Sequence, residues 1–183
     1  LEVLENPKTN LASEIFTSDG KTLAKYYFND NRTPVTFDEL PTHLVDALIA
    51  TEDIRFYSHS GIDFKRTFGA ALKFGKDGGG STITQQLAKL LFTGEGSKDI
   101  IERLTQKFKE YIIAVRLERN YTKDEIITQY LNLYDFGNNG DGIRSAARIY
   151  FGKEPIDLDI NESAILVGML KNSSLYNPRP HRN

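Results

Sequence analysis

Ile101-Glu102-Arg103-Leu104-Thr105-Gln106-Lys107-Phe108-Lys109-Glu110-Tyr111-Ile112-Ile113-Ala114-Val115-Arg116-Leu117-Glu118 is the stretch that decides the fold class. Ile101, Leu104, Phe108, Ile112 and Val115 recur every three or four residues, the period of a helix and not of a strand. The spacing predicts a helix from about Lys98 to Glu118 with these five residues as one buried stripe. Thr122-Lys123-Asp124-Glu125 then reads as a capping box ahead of Ile126, Ile127, Tyr130 and Leu131.

Helical signals continue on both sides. His43 to Ala50 follows Pro41-Thr42, a helix start. Phe64, Phe68, Ala71 and Leu72 keep helical spacing, Thr84 to Phe92 makes another short helix, and Ile143 to Phe151 and Asn161 to Leu170 complete the body. Strand character is confined to the N-terminal side, where Ile15 to Leu23 reads as a hairpin turning at Asp19-Gly20, with Tyr26-Tyr27-Phe28 extending its second strand. Residues 1–12 form a polar lead-in. The expected architecture is mainly α with a short N-terminal β-hairpin.

The bulk numbers bound the function. At 183 residues the chain is one domain, or one domain with a subdomain. Hydrophobic residues at 39% and charged residues at 26% belong to a globular chain. With 23 basic against 25 acidic residues there is no global electrostatic case for nucleic acid. The absence of cysteine removes disulfides, thiolate catalysis and cysteine metal sites. No run approaches the ~18 apolar residues of a membrane span. The chain starts at Leu1 and stops on Asn177-Pro178-Arg179-Pro180-His181, which reads as the entrance to a linker over 176–183. It reads as a piece of a longer, membrane-anchored protein.

Two segments carry the chemistry. Glu52-Asp53-Ile54-Arg55-Phe56-Tyr57-Ser58-His59-Ser60-Gly61 puts two acids at the end of an apolar helix. A carboxylate there meets the negative end of the helix dipole and holds its proton more tightly, which suits a general base. The alternative is a helix that has already ended, leaving both acids solvated. His59 alone reads as a structural hydrogen-bonding residue.

Gly79-Gly80-Ser81-Thr82-Ile83-Thr84-Gln85-Gln86 is a glycine-loosened turn entering a helix. It is not a P-loop, because no Gly-Lys-Ser/Thr follows the glycines. Its backbone amides, with Ser81, Thr82, Gln85, Gln86 and Lys89 one turn on, can still meet an anion or a sugar. The alternative is a surface loop with an N-capping Ser or Thr. On the long helix Arg103, Lys107 and Glu110 share one face. That face is either an exposed salt-bridge ladder or two cations gripping a diphosphate beside a second carboxylate. Tyr150-Phe151-Gly152-Lys153 and Glu162 read as packing plus caps.

Together these segments resemble the peptidoglycan glycosyltransferase domain, glycosyltransferase family 51, as found in bifunctional class A penicillin-binding proteins. Glu52, Asp53, Phe56, His59 and Gly61 match the family's first motif. Gly79, Ser81, Thr82, Thr84, Gln85 and Gln86 match its second, with Lys89 at the usual lysine. Gln106-Lys107-Phe108-Lys109-Glu110 stands at its Arg-Lys-x-x-Glu, and Tyr130-Leu131-Asn132 and Tyr150-Phe151-Gly152-Lys153 match later signatures. The resemblance covers nearly everything from residue 15 to 178. Two positions depart from the pattern: Gln106 replaces an arginine, and Leu90 stands where an asparagine is common.

The resemblance implies a lysozyme-like helical domain with a small membrane-facing second lobe, for which Phe74, Leu91, Phe92 and Ile100 are candidates. It implies processive, inverting polymerisation of lipid II from a growing polyprenyl-diphosphate chain. In that scheme Glu52 is the general base, Glu110 a second catalytic carboxylate that orients the cations and the donor, and Asp53, Ser81, Thr82, Gln85, Gln86, Lys89, Arg103 and Lys107 bind substrate. No protein metal site is implied, although a divalent ion such as Mg²⁺ could assist the diphosphate. The implied setting is the extracytoplasmic face of a bacterial cell membrane, with a transpeptidase domain fused after Asn183. A lysozyme-like hydrolase or lytic transglycosylase could use paired acids on a similar scaffold. A degenerate lipid-binding scaffold is the remaining alternative, favoured by the Gln106 and Leu90 departures.

Overall fold

The computed structural model describes residues 13–16, 22–26, 33–67, 80–93 and 99–178. These residues are mainly helical, as the periodicity predicts, and the lysozyme-like helical architecture fits them. Two strands, β1 (Ser13–Phe16) and β2 (Thr22–Tyr26), pair antiparallel with Ser13 opposite Tyr26 and a register irregularity between Ile15 and Phe16. The expected Asp19-Gly20 turn, Tyr27, Phe28 and the 68–74 part of the expected helix after Phe64 lie outside the described residues.

The helices are α1 (Thr42–Glu52), α2 (Ile83–Ala88), α3 (Ile100–Asn120), α4 (Lys123–Leu133), α5 (Gly142–Phe151), α6 (Ile160–Lys171) and α7 (Ser173–Tyr176). A helical turn occupies 64–67, and a π-helical turn, Lys89–Thr93, continues α2. The chain divides into two compact units. Among the described residues one is carried by Leu48–Tyr130, the other by those up to Ala47 together with those from Leu131 onward.

In the first unit, Leu48, Phe56, Ile83, Leu87, Ala88, Ala114, Ile126, Ile127 and Tyr130 are fully buried. α3 starts where Asp99 accepts from the amides of Ile101 and Glu102, at 2.7 and 3.2 Å. α4 starts on the expected capping box: Thr122 N donates to Glu125 at 2.7 Å, and Glu125 N donates back to Thr122 Oγ1 at 3.3 Å.

The expected buried stripe of α3 is overturned. Ile101, Leu104, Phe108 and Ile112 are 75%, 57%, 66% and 58% exposed, and Val115 is half-buried. The buried face is Glu110, Ala114 and Leu117. At roughly 100° per residue these two faces lie on nearly opposite sides of the helix. Ala114 on the inward face is small where its partner comes very close. A Cβ at Gly61 would sit 2.8 Å from the backbone carbonyl of Ala114.

In the second unit the Asn132 side chain works as a strand would, accepting from Val35 N and donating to Val35 O, both at 2.9 Å. α5 ends at Gly152, whose φ of 69° closes the helix with a left-handed residue. α6 opens on a capping box between Asp159 and Glu162, and Glu162 also accepts from Lys153 at 2.8 Å. Tyr150 O–H donates to the Phe136 carbonyl at 2.8 Å. Packing plus caps is therefore what the sequence at 150–153 and 162 does.

Candidate active site

α1 ends at Glu52, and the chain then turns tightly through the 3-10 helix Phe56–Ser58. Asp53 is buried in that turn. Its Oδ2 accepts from His59 Nε2 at 2.9 Å and from Ile83 N at 3.1 Å. Gly61 N–H donates to His59 Nδ1 at 3.2 Å, so Nδ1 is the acceptor and the ring proton sits on Nε2, facing Asp53. His59 is a structural strut, as the sequence suggests. Asp53 is no solvated acid: it ties the first segment to the start of α2.

Glu52 stands apart from that strut. It is half-buried, and its Oε2 accepts from Gln86 Nε2 at 2.9 Å. The other end of the same amide, Gln86 Oε1, accepts from the Tyr130 hydroxyl at 2.9 Å. The Arg66 guanidinium donates to the Glu52 carbonyl. A cation at the carbonyl end of α1 offsets the dipole where the acid sits.

The second segment is held by its own side chains. Thr82 caps α2 by accepting from Gln85 N, while Gln85 Oε1 accepts from Thr82 N, both at 3.1 Å. Thr82 Oγ1 also donates to Gly61 O at 2.7 Å, fastening the two segments together. Thr82 and Gln85 are thus buried in a capping box, Gln86 lies against Glu52, and Ser81 accepts from Lys107 Nζ at 2.9 Å. Lys89 is exposed at the end of α2.

On α3, Lys107 Nζ lies 2.5 Å from Glu110 Oε2. The Glu110 side chain is 6% exposed and that of Lys107 is 45% exposed. An exposed ladder is therefore excluded for this pair: the acid is inside and the cation reaches outward. Arg103 is exposed one turn earlier. Within the first unit, direct contacts join Glu52 to Gln86, and Lys107 to Ser81 and Glu110, with Asp53, Thr82 and Gln85 as the frame. Lys89 and Arg103 remain at the surface of their helices.

Several residues the motifs did not single out complete the frame. Lys123 Nζ donates to the His59 carbonyl at 2.7 Å and to Glu118 at 2.8 Å, and lies 4.3 Å from the centre of the Phe56 ring. Thr84 Oγ1 donates to the same Glu118 oxygen at 2.6 Å. Arg55 grips Asp63 through Nε and Nη2 at 2.7 and 2.8 Å. Burial alone would raise the Asp63 carboxyl, but the Arg55 guanidinium and the Arg66 amide together hold it below its usual range. Asp63 shares with His59, Arg55 and Phe64 a cavity of about 400 Å³. Spacing could not reveal these contacts of Lys123, Tyr130 and Arg66, because each reaches a residue outside its own segment.

The arrangement keeps a hydrogen-bonded carboxylate at the mouth of α1, and the same unit carries a lysine ammonium on α3. Among the described residues no three acid or histidine side chains cluster as metal ligands.

Residues 19–183 match the model of the transglycosylase family. The chain is 42% identical over 174 residues to penicillin-binding protein 1F of Bacillus subtilis, covering 93% of this chain and 24% of that protein. It is 39% identical over 180 residues to penicillin-binding protein 1A of Escherichia coli, covering 96% and 20%. Penicillin-binding protein 2a of Streptococcus pneumoniae is 40% identical over 146 residues, covering 80% and 19%. The chain spans a fifth to a quarter of the length of these relatives.

Proposed function

The chain belongs to the transglycosylase family, and from that premise we propose that it is a peptidoglycan glycosyltransferase polymerising lipid II into β-1,4-linked glycan. The observation that carries the reading is the 2.9 Å contact between Gln86 Nε2 and Glu52 Oε2. It joins the acid-bearing segment to the hydroxyl- and amide-rich one and keeps a proton-accepting oxygen at the helix mouth.

In the proposed reaction Glu52 takes the proton of the acceptor GlcNAc 4-hydroxyl as that oxygen attacks C1 of the donor sugar. The C1–O bond to the diphosphate breaks with its electron pair on the leaving oxygen. One displacement turns an α-linked diphosphate into a β-glycosidic bond. A hydroxyl needs a base to become a useful nucleophile, and a diphosphate leaves readily when cations meet its charge. Lys107, Lys89 and Arg103 supply those cations. Glu110, 2.5 Å from Lys107, orients that ammonium.

Ser81 steadies Lys107 and Gln86 steadies Glu52, while Asp53, Thr82 and Gln85 serve substrate by keeping the segments in register. Glu110 is committed to Lys107, and the described residues offer no acid cluster. In this reading a divalent ion such as Mg²⁺ would travel with the diphosphate.

The exposed apolar face of α3 supports a membrane-surface partner for the lipid-linked substrate. Ile101, Leu104, Phe108 and Ile112 lie in one row, and half-buried Leu91 and Phe92 follow α2. Phe74 and the Ile100 side chain lie outside the described residues. No helix among those described is long and apolar enough to cross a membrane. By likeness to the longer penicillin-binding relatives, the parent protein would work at the extracytoplasmic face with a fused transpeptidase domain.

The test is labelled lipid II incubated with the purified chain in detergent and Mg²⁺, beside Glu52→Gln, with products resolved by size. Long glycan from the wild type alone is expected. Cutting of finished glycan without polymerisation would replace this reading with a hydrolase, and no product from a folded wild type would overturn it.

A further inference from the structure

We infer that Tyr130 is a positioning residue that holds the Gln86 side-chain amide where its N–H donates to Glu52. The inference rests on the reading of Glu52 as the base. A carboxamide has a donor end and an acceptor end of nearly equal size, and a half-turn exchanges them. The donor end can bond a Glu52 oxygen and hold it in place; the carbonyl end would only face it with another oxygen.

Tyr130 O–H meets Gln86 Oε1 at 2.9 Å, while Gln86 Nε2 meets Glu52 Oε2 at 2.9 Å. Turning the amide over would break the bond the phenol donates and set two oxygens face to face at Glu52. The Tyr130 ring is fully buried on α4, which fixes where its hydroxyl meets the amide. Three side chains on three helices thus form one directed relay, from α4 through α2 to the end of α1.

The other charged groups around this acid are placed differently. Arg66, from the 64–67 turn, bonds the Glu52 carbonyl and not its carboxylate. Asp53 and His59, on the loop after α1, bond each other. Lys89 ends α2, and on α3, which packs against α2, Lys107 is paired with Glu110. On α4, Lys123 is paired with Glu118. All of them persist when only the Tyr130 hydroxyl is removed.

The experiment is kcat and KM for lipid II polymerisation, measured for wild type, Tyr130→Phe, Gln86→Met and the double variant. Thermal melts confirm folding, and Glu52→Gln serves as the control for the base. Tyr130→Phe should lower kcat roughly tenfold with KM within about twofold. Gln86→Met should do the same, and the double variant should be no worse than either single one, because both break the same relay. A Tyr130→Phe kcat equal to that of the wild type, or losses that multiply in the double variant, would overturn the inference. If Tyr130→Phe does not fold, an unchanged kcat in Gln86→Met overturns it equally. Activity surviving in Glu52→Gln would instead sink the base reading itself.

Discussion

The Lys123 ammonium lies 2.8 Å from the Glu118 carboxylate, with side chains only 20% and 6% exposed. The pair joins what motif spacing leaves separate, since Lys123 also holds the His59 carbonyl and Glu118 also holds Thr84. Removing one partner of such a pair strands the other charge out of water. Lys123→Met should therefore cost about 3 kcal/mol of stability by urea denaturation. A loss below about 1 kcal/mol would show that Glu118 finds water or another cation.

Gly61 and Gly152 make a second comparison, because both have positive φ, +92° and +69°, but only one is crowded. A methyl at Gly61 would strike the Ala114 carbonyl at 2.8 Å, whereas nothing lies within 4 Å of one at Gly152. Gly152→Ala should cost only the backbone preference, roughly 1 kcal/mol. Gly61→Ala should cost roughly 3 kcal/mol or more, since α3 must also move away. Equal melting temperatures for the two variants would contradict the close packing of the 61 loop on α3.

What the sequence shows well is local. The Thr122–Glu125 box, the Pro41-Thr42 start and the helical period are set by neighbours within four residues, and all appear where expected. The direction of the long helix is different. Period places Ile101, Leu104, Phe108 and Ile112 on one face, but it carries no sign for inside or outside. That sign is set by Gly61, Thr84 and Ser81 arriving from other segments with polar groups and no bulk. The same holds for the site. The motifs name Glu52 and Gln86, but the hydrogen bonds between them and Tyr130 span 34 and 44 residues, beyond what spacing can encode.

The outward stripe yields its own prediction. Leu104, Phe108 and Ile112 are exposed, so replacing Leu104 and Phe108 by Glu should change folding stability by no more than about 0.5 kcal/mol for each. Binding to anionic lipid vesicles in a flotation assay should fall by roughly tenfold or more, as apolar burial is lost and like charges repel. Polymerisation of detergent-dispersed lipid II should suffer less than polymerisation in vesicles. Unchanged vesicle binding would remove the membrane role from α3.

Acid should loosen the first segment through Asp63. Its carboxyl is buried, which alone would raise it, yet the Arg55 and Arg66 hydrogen bonds leave it below the ordinary 3.8. A group whose folded value is depressed binds its proton more readily in the unfolded chain. It therefore contributes its full stability above pH 3.8, and that contribution is lost as pH falls through the lower folded value. The wild type should lose melting temperature steadily below about pH 4. Asp63→Asn should start lower at neutral pH and fall less on acidification, because it has no carboxylate to protonate there. If the two melting curves against pH stay parallel between pH 5 and 3, other depressed carboxyls such as Glu39 and Asp159 carry the acid sensitivity instead.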